Sequence, residues 1–82
     1  MTSIFRNDIE QAIEGTLYNA LCGSISGSVN VEYCRGIIGQ SKSLSLVFGI
    51  DWQIIKEKVV SRLEDRELQA LIESSLFPLI GT

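Results

Sequence analysis

The sequence predicts an all-α fold, a small bundle of three or four helices forming a single domain over residues 1–82, and three observations predict it. Apolar residues recur every three or four positions along most of the chain, as one side of a helix requires. Between these stretches lie Gly, Asn, Asp and Pro, the residue types that start and stop helices. A chain of 82 residues, 45% of them hydrophobic, holds one thin core, because so short a polypeptide buries only about 60–65% of the surface it exposes when unfolded.

The first helix is expected over Ser3 to Leu21, where Phe5, Ile9, Ala12, Ile13, Leu17, Ala20 and Leu21 make an apolar stripe and Arg6, Asn7, Glu10, Gln11 and Glu14 fill the other side. Ser3 or Asn7 suits its N-cap, with Asp8 and Glu10 near the positive end of the dipole. Gly15 lies inside it at a cost of about 1 kcal/mol, which implies close packing there or simple tolerance. Two glycines and three serines in Cys22-Gly23-Ser24-Ile25-Ser26-Gly27-Ser28 then read as a loop.

Residues 31–51, VEYCRGIIGQSKSLSLVFGID, admit two readings. As an α+β alternative, a hairpin at about 29–48 pairs an arm at Val29, Val31 and Tyr33 with one at Leu44, Leu46 and Phe48, turning at Gly36 to Gln40. As a helix, Asn30 is the cap, Tyr33, Ile37, Ser41, Leu44 and Phe48 recur at helical spacing, and Gly49 stands at the C-terminal cap. The hairpin exposes Ile37 and Ile38 at its tip, and two strands alone are marginal in water. The helix is therefore preferred, with Tyr33, Ile37, Leu44 and Phe48 directed inward and Gly36 and Gly39 inside it.

Beyond Gly49, Asp51 is a natural N-cap, and Ile50 and Ile55 occupy the two positions of a hydrophobic staple. A third helix begins at Trp52, with Ile55, Val59 and Leu63 inward and Lys56, Glu57, Lys58 and Arg62 outward. The charged cluster Glu64-Asp65-Arg66-Glu67 shifts the stripe before Leu68, Leu71, Ile72 and Leu76 resume it. Either Asp65 caps a fourth helix or one long helix rotates its apolar side. Pro78 ends the run at Phe77.

Composition narrows the function. A net charge of −3 and a pI near 4.7, with seven scattered Lys and Arg, lack the basic patch that nucleic acid requires. No uncharged run approaches the roughly 20 residues of a membrane span, and no secretory signal precedes the cysteines, so a cytoplasmic location is expected. Cys22 and Cys34, twelve positions apart without CxxC or any histidine, make no zinc site; one disulfide between them stays geometrically open, though buried free thiols are the commoner use.

No catalytic centre is expected. Absent histidine removes every imidazole dyad or triad. Glu10 and Glu14 sit one turn apart, yet on a polar helix side beside water, as do Glu64, Asp65 and Glu67. Cys34 beside Arg35 reads as a structural thiol rather than an activated one. Gly36-Ile37-Ile38-Gly39 has the spacing of the GXXG loop of KH domains, but two isoleucines in an acidic chain defeat a phosphate clamp. No cofactor or metal is expected. Instead, a mean hydropathy of +0.22 and a second helix that is apolar nearly all round indicate more apolar surface than one short protomer hides. The expected interface residues are Tyr33, Ile38, Leu46, Val47, Trp52, Phe77, Leu79 and Ile80, and the expected partners are other protein subunits, in a homo-oligomer or a large assembly.

Val31-Glu32-Tyr33-Cys34-Arg35-Gly36, followed by an apolar helix to Phe48-Gly49-Ile50, resembles the EYxRG helix of short helical proteins encoded among the structural genes of tailed bacteriophages. The resemblance covers about twenty of the 82 residues. It implies a helical hairpin or bundle that serves as a virion or assembly component, located in the host cytoplasm and the virion, binding large protein partners in many copies and carrying no catalytic residues.

Overall fold

A computed structural model describes residues 2–80, with side chains described from Asn7 onward. Five helices follow one another: α1 Thr2–Ser26, α2 Val31–Val47, α3 Trp52–Arg62, α4 Asp65–Ile72 and α5 Phe77–Ile80. No strand occurs among the described residues, so the hairpin at 29–48 is replaced by α2.

α1 is longer than its stripe predicts. Starting at Thr2, it takes Ser3 and Asn7 into its body rather than at its cap, and it continues past Leu21 to Ser26; Phe5 lies outside the described side chains. The segment Cys22–Ser26 stays helical for a packing reason. A Cβ on Gly23 would collide with Val29, so the glycine lets the chain fold back tightly against the helix. The stop comes at Gly27, with φ +85°. There Ser28 N–H donates to the Gly23 carbonyl at 2.9 Å and Gly27 N–H to that of Ser24 at 3.2 Å, the paired bonds of a Schellman ending. Gly15, in contrast, has open space around it, so its place in α1 is tolerance and not close packing.

At about 1.5 Å per residue, the 25 residues of α1 match the 40 Å long axis of a molecule that measures 40 × 23 × 22 Å. α2 returns antiparallel to it: Gly23 meets Val29, while Ala12, Ile13 and Thr16 share a notch with Gln40, Ser41 and Leu44. α3 runs parallel to α1, because Glu10 pairs with Lys58 and, one turn on, Glu14 pairs with Arg62. α4 reaches the far part of α1, where the Cys22 thiol donates to Glu67 Oε2 at 3.6 Å.

The caps of the middle helices follow the sequence. Asn30 accepts from Glu32 N–H at 2.7 Å, and Asp51 from Gln53 N–H at 2.9 Å. Gly49, at φ +67°, closes α2 with a second Schellman pair, Ile50 N–H to Ser45 at 2.8 Å and Gly49 N–H to Leu46 at 3.3 Å. The break between α3 and α4 falls at Leu63 and Glu64, both extended. Glu64, not Asp65, is the cap residue, and its N–H donates to Glu67 Oε1 at 3.0 Å. α4 then ends at Ile72 instead of running on to Phe77. The Ser74 hydroxyl donates to Leu71 O and accepts from Leu76 N–H, turning the chain into α5, where Pro78 sits in the first turn and needs no N–H partner.

The core joins Ile13, Leu17 and Leu21 of α1, Ile55 and Val59 of α3, and Leu71 of α4, with Ile50, Leu63, Leu76 and Ile80 filling the ends. α2 contributes Cys34 and Ile38 together with two serines, Ser41 and Ser45. Tyr33, Leu44 and Phe48, expected inside, are exposed. Ala12 is exposed as well. Lys56, expected outside, is buried.

Candidate functional site

α2 buries Cys34, Ile38, Ser41 and Ser45 and leaves several large apolar side chains in water. Ser45 is fully buried, its hydroxyl donating to Ser41 O at 2.8 Å, so the helix's own backbone satisfies the polar atom that burial would otherwise orphan. Outside stand Tyr33 at 63% exposure, Leu46 at 72% and Val47 at 75%, with Leu44 and Phe48 also exposed.

These exposed residues occupy two sides. Successive helical residues are about 100° apart, so Tyr33, Gln40, Leu44 and Val47 form one ridge beside α1, with Ile37 in line with them but half-buried against the core. Leu46 points away from it, on the side of Arg35 and Lys42. The notch between Gln40, Ser41 and Leu44 of α2 and Ala12, Ile13 and Thr16 of α1, about 220 Å³, runs along the ridge.

The eight residues expected at an interface therefore divide. Tyr33, Leu46, Val47 and Leu79 are exposed. Trp52 and Phe77 are half-buried against the core. Ile38 and Ile80 are core residues, 3% and 2% exposed, which corrects their placement at a surface. Trp52 and Leu79 come together with Ile38, Gly39, Lys56 and Pro78 around a depression of about 530 Å³, whereas Tyr33 and Val47 belong to the ridge. Leu44 and Phe48 also stand at the surface; the four-three spacing from Tyr33 to Val47 is a sequence signal for Leu44 alone. An apolar cleft of about 340 Å³ between α3, α4 and α5, floored by Val60, Leu68, Leu71, Phe77 and Ile80, has no local sequence signal.

The polar side of α1 serves packing. Glu10 and Glu14, expected beside water, have side chains 21% and 17% exposed because Lys58 and Arg62 of α3 cover them, at 2.6 and 3.5 Å. The Arg62 guanidinium also lies 4.1 Å from the centre of the Tyr18 ring, an attractive cation–π placement. The hydrogen bond to Glu10 holds the Lys58 ammonium above its ordinary range. Both cysteines are free. Burial pushes both thiols up, with Glu67 adding to the effect at Cys22; Cys22 in turn raises the Tyr18 hydroxyl. A thiol kept protonated is a poor nucleophile. Among the described residues no group of three His, Cys, Asp or Glu is placed to hold a metal ion, and no helix is long and apolar enough to cross a membrane. Compared with known proteins, the chain matches no family model, no curated protein and no solved structure.

Proposed function

We propose that this chain is a non-enzymatic interaction protein, a minor structural or assembly component of a multi-subunit particle, of which a tailed-phage virion is the kind its EYxRG segment resembles. The observation that carries the reading is the outer side of α2: Tyr33, Leu44, Leu46, Val47 and Phe48 face outward while Ser41 and Ser45 lie in the core beside Cys34 and Ile38. A helix evolved only for its own fold would place those side chains the other way, since burying a Leu or Val contributes about 1.5–3 kcal/mol. Exposed apolar residues gathered on one side, as Tyr33, Leu44 and Val47 are, are the mark of a contact surface.

The test is co-purification from the organism that encodes the chain. Wild-type protein is expected in a particle at fixed stoichiometry. A Tyr33→Glu, Val47→Glu double variant with an unchanged circular dichroism spectrum is expected to be released from it. Recovery of the wild-type chain with no companion, or particle binding indifferent to these substitutions, overturns the proposal.

A second reading, a small cytoplasmic regulatory or chaperone-like protein that masks a hydrophobic segment of one partner, draws on the α3–α4–α5 cleft, whose Leu68 and Phe77 are partly buried beside a rim of Gln53, Glu57 and Ser61. A cleft of that size accepts one or two apolar side chains. This reading expects a single soluble partner at one-to-one stoichiometry and sensitivity to Leu68→Glu instead of Val47→Glu.

A further inference from the structure

We infer that the depression between α2, α3 and α5 is a binding site for a small organic oxyanion, a carboxylate or phosphate carried on an apolar body. This goes beyond the contact surface on the ridge of α2 and does not rest on it. Arg35, Gly39 and Lys42, spaced four and three, share one side of α2. Trp52 and Lys56, one turn apart, bring a side of α3 to the same place, and Pro78 and Leu79 of α5 close it.

Charge selects the ligand. The chain is acidic, at net −3, yet Arg35, Lys42 and Lys56 line this depression and no described Asp or Glu does. Three of the seven Lys and Arg thus gather at one place. On α3 the pattern differs, since Lys58 and Arg62 are matched by Glu10 and Glu14. Arg35 also reaches Glu32 at 3.9 Å, but both side chains are exposed, and such a pair is worth little. At physiological salt, charge acts over about 8 Å, so an oxyanion inside the depression meets the local cations rather than the net charge. A large polyanion meets both, and the acidic remainder of the surface repels it.

Shape sets the rest of the ligand. Gly39 stands between two of the cations, about 6 Å along the axis from Arg35 and about 4.5 Å from Lys42. A Cβ there would meet nothing within 4 Å, so the glycine leaves room for a headgroup that both long side chains can reach. Arg35 supplies the planar fork that pairs with two oxygens at once. Lys56, 7% exposed, brings the third charge from the α3 side. The other walls, Ile38, Trp52 and Leu79 among them, are apolar. At about 530 Å³ the depression has the size of small-molecule sites, which combine an apolar lining with a few placed polar groups. An inorganic ion alone leaves most of it unfilled.

Trp52 is the chain's single tryptophan, so its fluorescence reports on the depression directly. Titration with phenyl phosphate and with phenylacetate is expected to change that emission with a Kd of about 0.1–1 mM; the tighter of the two identifies the headgroup. Benzyl alcohol, an uncharged counterpart, and inorganic phosphate, a headgroup without a body, are each expected to bind about tenfold more weakly or worse. An Arg35→Gln, Lys42→Gln double variant, both positions exposed, and Gly39→Leu, which fills the open space, are expected to weaken binding to the same extent with unchanged circular dichroism spectra. Arg66→Gln, which removes a cation of α4 outside the depression, leaves it unchanged. Equal affinity for benzyl alcohol or inorganic phosphate, no binding of either aryl anion up to about 10 mM, or indifference to the three substitutions overturns the inference. So does displacement of phenyl phosphate by a short peptide of Glu and Leu at a lower concentration, which hands the depression to a protein partner.

Discussion

Gly15 and Gly23 share one helix and do opposite things. Around Gly15 the space is open; at Gly23 a methyl group would enter Val29. Gly15→Ala is expected to stabilise the protein by about 0.5–1 kcal/mol, by restricting the unfolded chain and removing a poor helix former. Gly23→Ala is expected to destabilise it by about 1–3 kcal/mol, the usual result of forcing atoms into a packed contact. Urea unfolding of the two variants checks both signs. The same scale explains what the sequence hid in α2. A reading by hydrophobicity places Leu44 and Phe48 inside and serines outside. Ser45 reverses this because its hydroxyl is satisfied by the Ser41 carbonyl one turn back, which removes the penalty that normally keeps serine at the surface. Ile38 was misplaced by the same error of phase, since the buried side of α2 is set by Cys34, Ser41 and Ser45 and Ile38 falls on it.

Helix ends were legible where a single residue supplies the stop or start. Asn30, Asp51 and Gly49 each act as their chemistry requires, and Asp51 is flanked by Ile50 and Ile55, both buried in the core. Asp51→Ala is expected to cost about 1 kcal/mol through loss of the bond to Gln53 N–H. Gly49→Ala is expected to cost about 1–2 kcal/mol because its backbone is left-handed. Both are measured as shifts in the denaturant midpoint with the slope unchanged. Ends set by tertiary contact were not legible. α1 overruns Leu21 because Val29 packs on Gly23, a contact that no local pattern announces. The α3–α4 break uses Glu64, an uncommon cap, stabilised by Glu67 from the next turn. On the outer side of α2 the spacing of the ridge could be read, but which of its residues face water depends on where α1 and α3 lie.

Across the whole molecule, α1 and α3 are held in register by the Glu10–Lys58 and Glu14–Arg62 pairs. Among the described residues, Tyr18, Cys22, Cys34 and Lys58 have their titration raised by the fold. A raised folded value means that the native state holds its proton more tightly than the unfolded chain, so this contribution is complete below the ordinary values and is lost as pH climbs through the folded ones. Stability is therefore expected to decline on the alkaline side, first from the cysteines above their ordinary 9.0 and then from Lys58 above 10.5. Urea midpoints measured from neutral to strongly alkaline pH check this. Cys34→Ala is expected to flatten the first part of the decline and Lys58→Met the last; a flat wild-type profile contradicts it. The parallel helix pair was hidden in the sequence because the oppositely charged residues stand 48 positions apart, and each looks like ordinary solvated polarity on its own helix.

α1 lies against α2, α3 and α4, yet it precedes all of them in the chain. Ribosomes add roughly 5–20 residues per second, and α4, the last of them, is complete only at Ile72, 46 residues after Ser26. For about two to nine seconds the nascent chain thus presents Ile13, Leu17 and Leu21 incompletely covered, a window in which a neighbouring polysome or a holdase meets the bare spine before its own helices do.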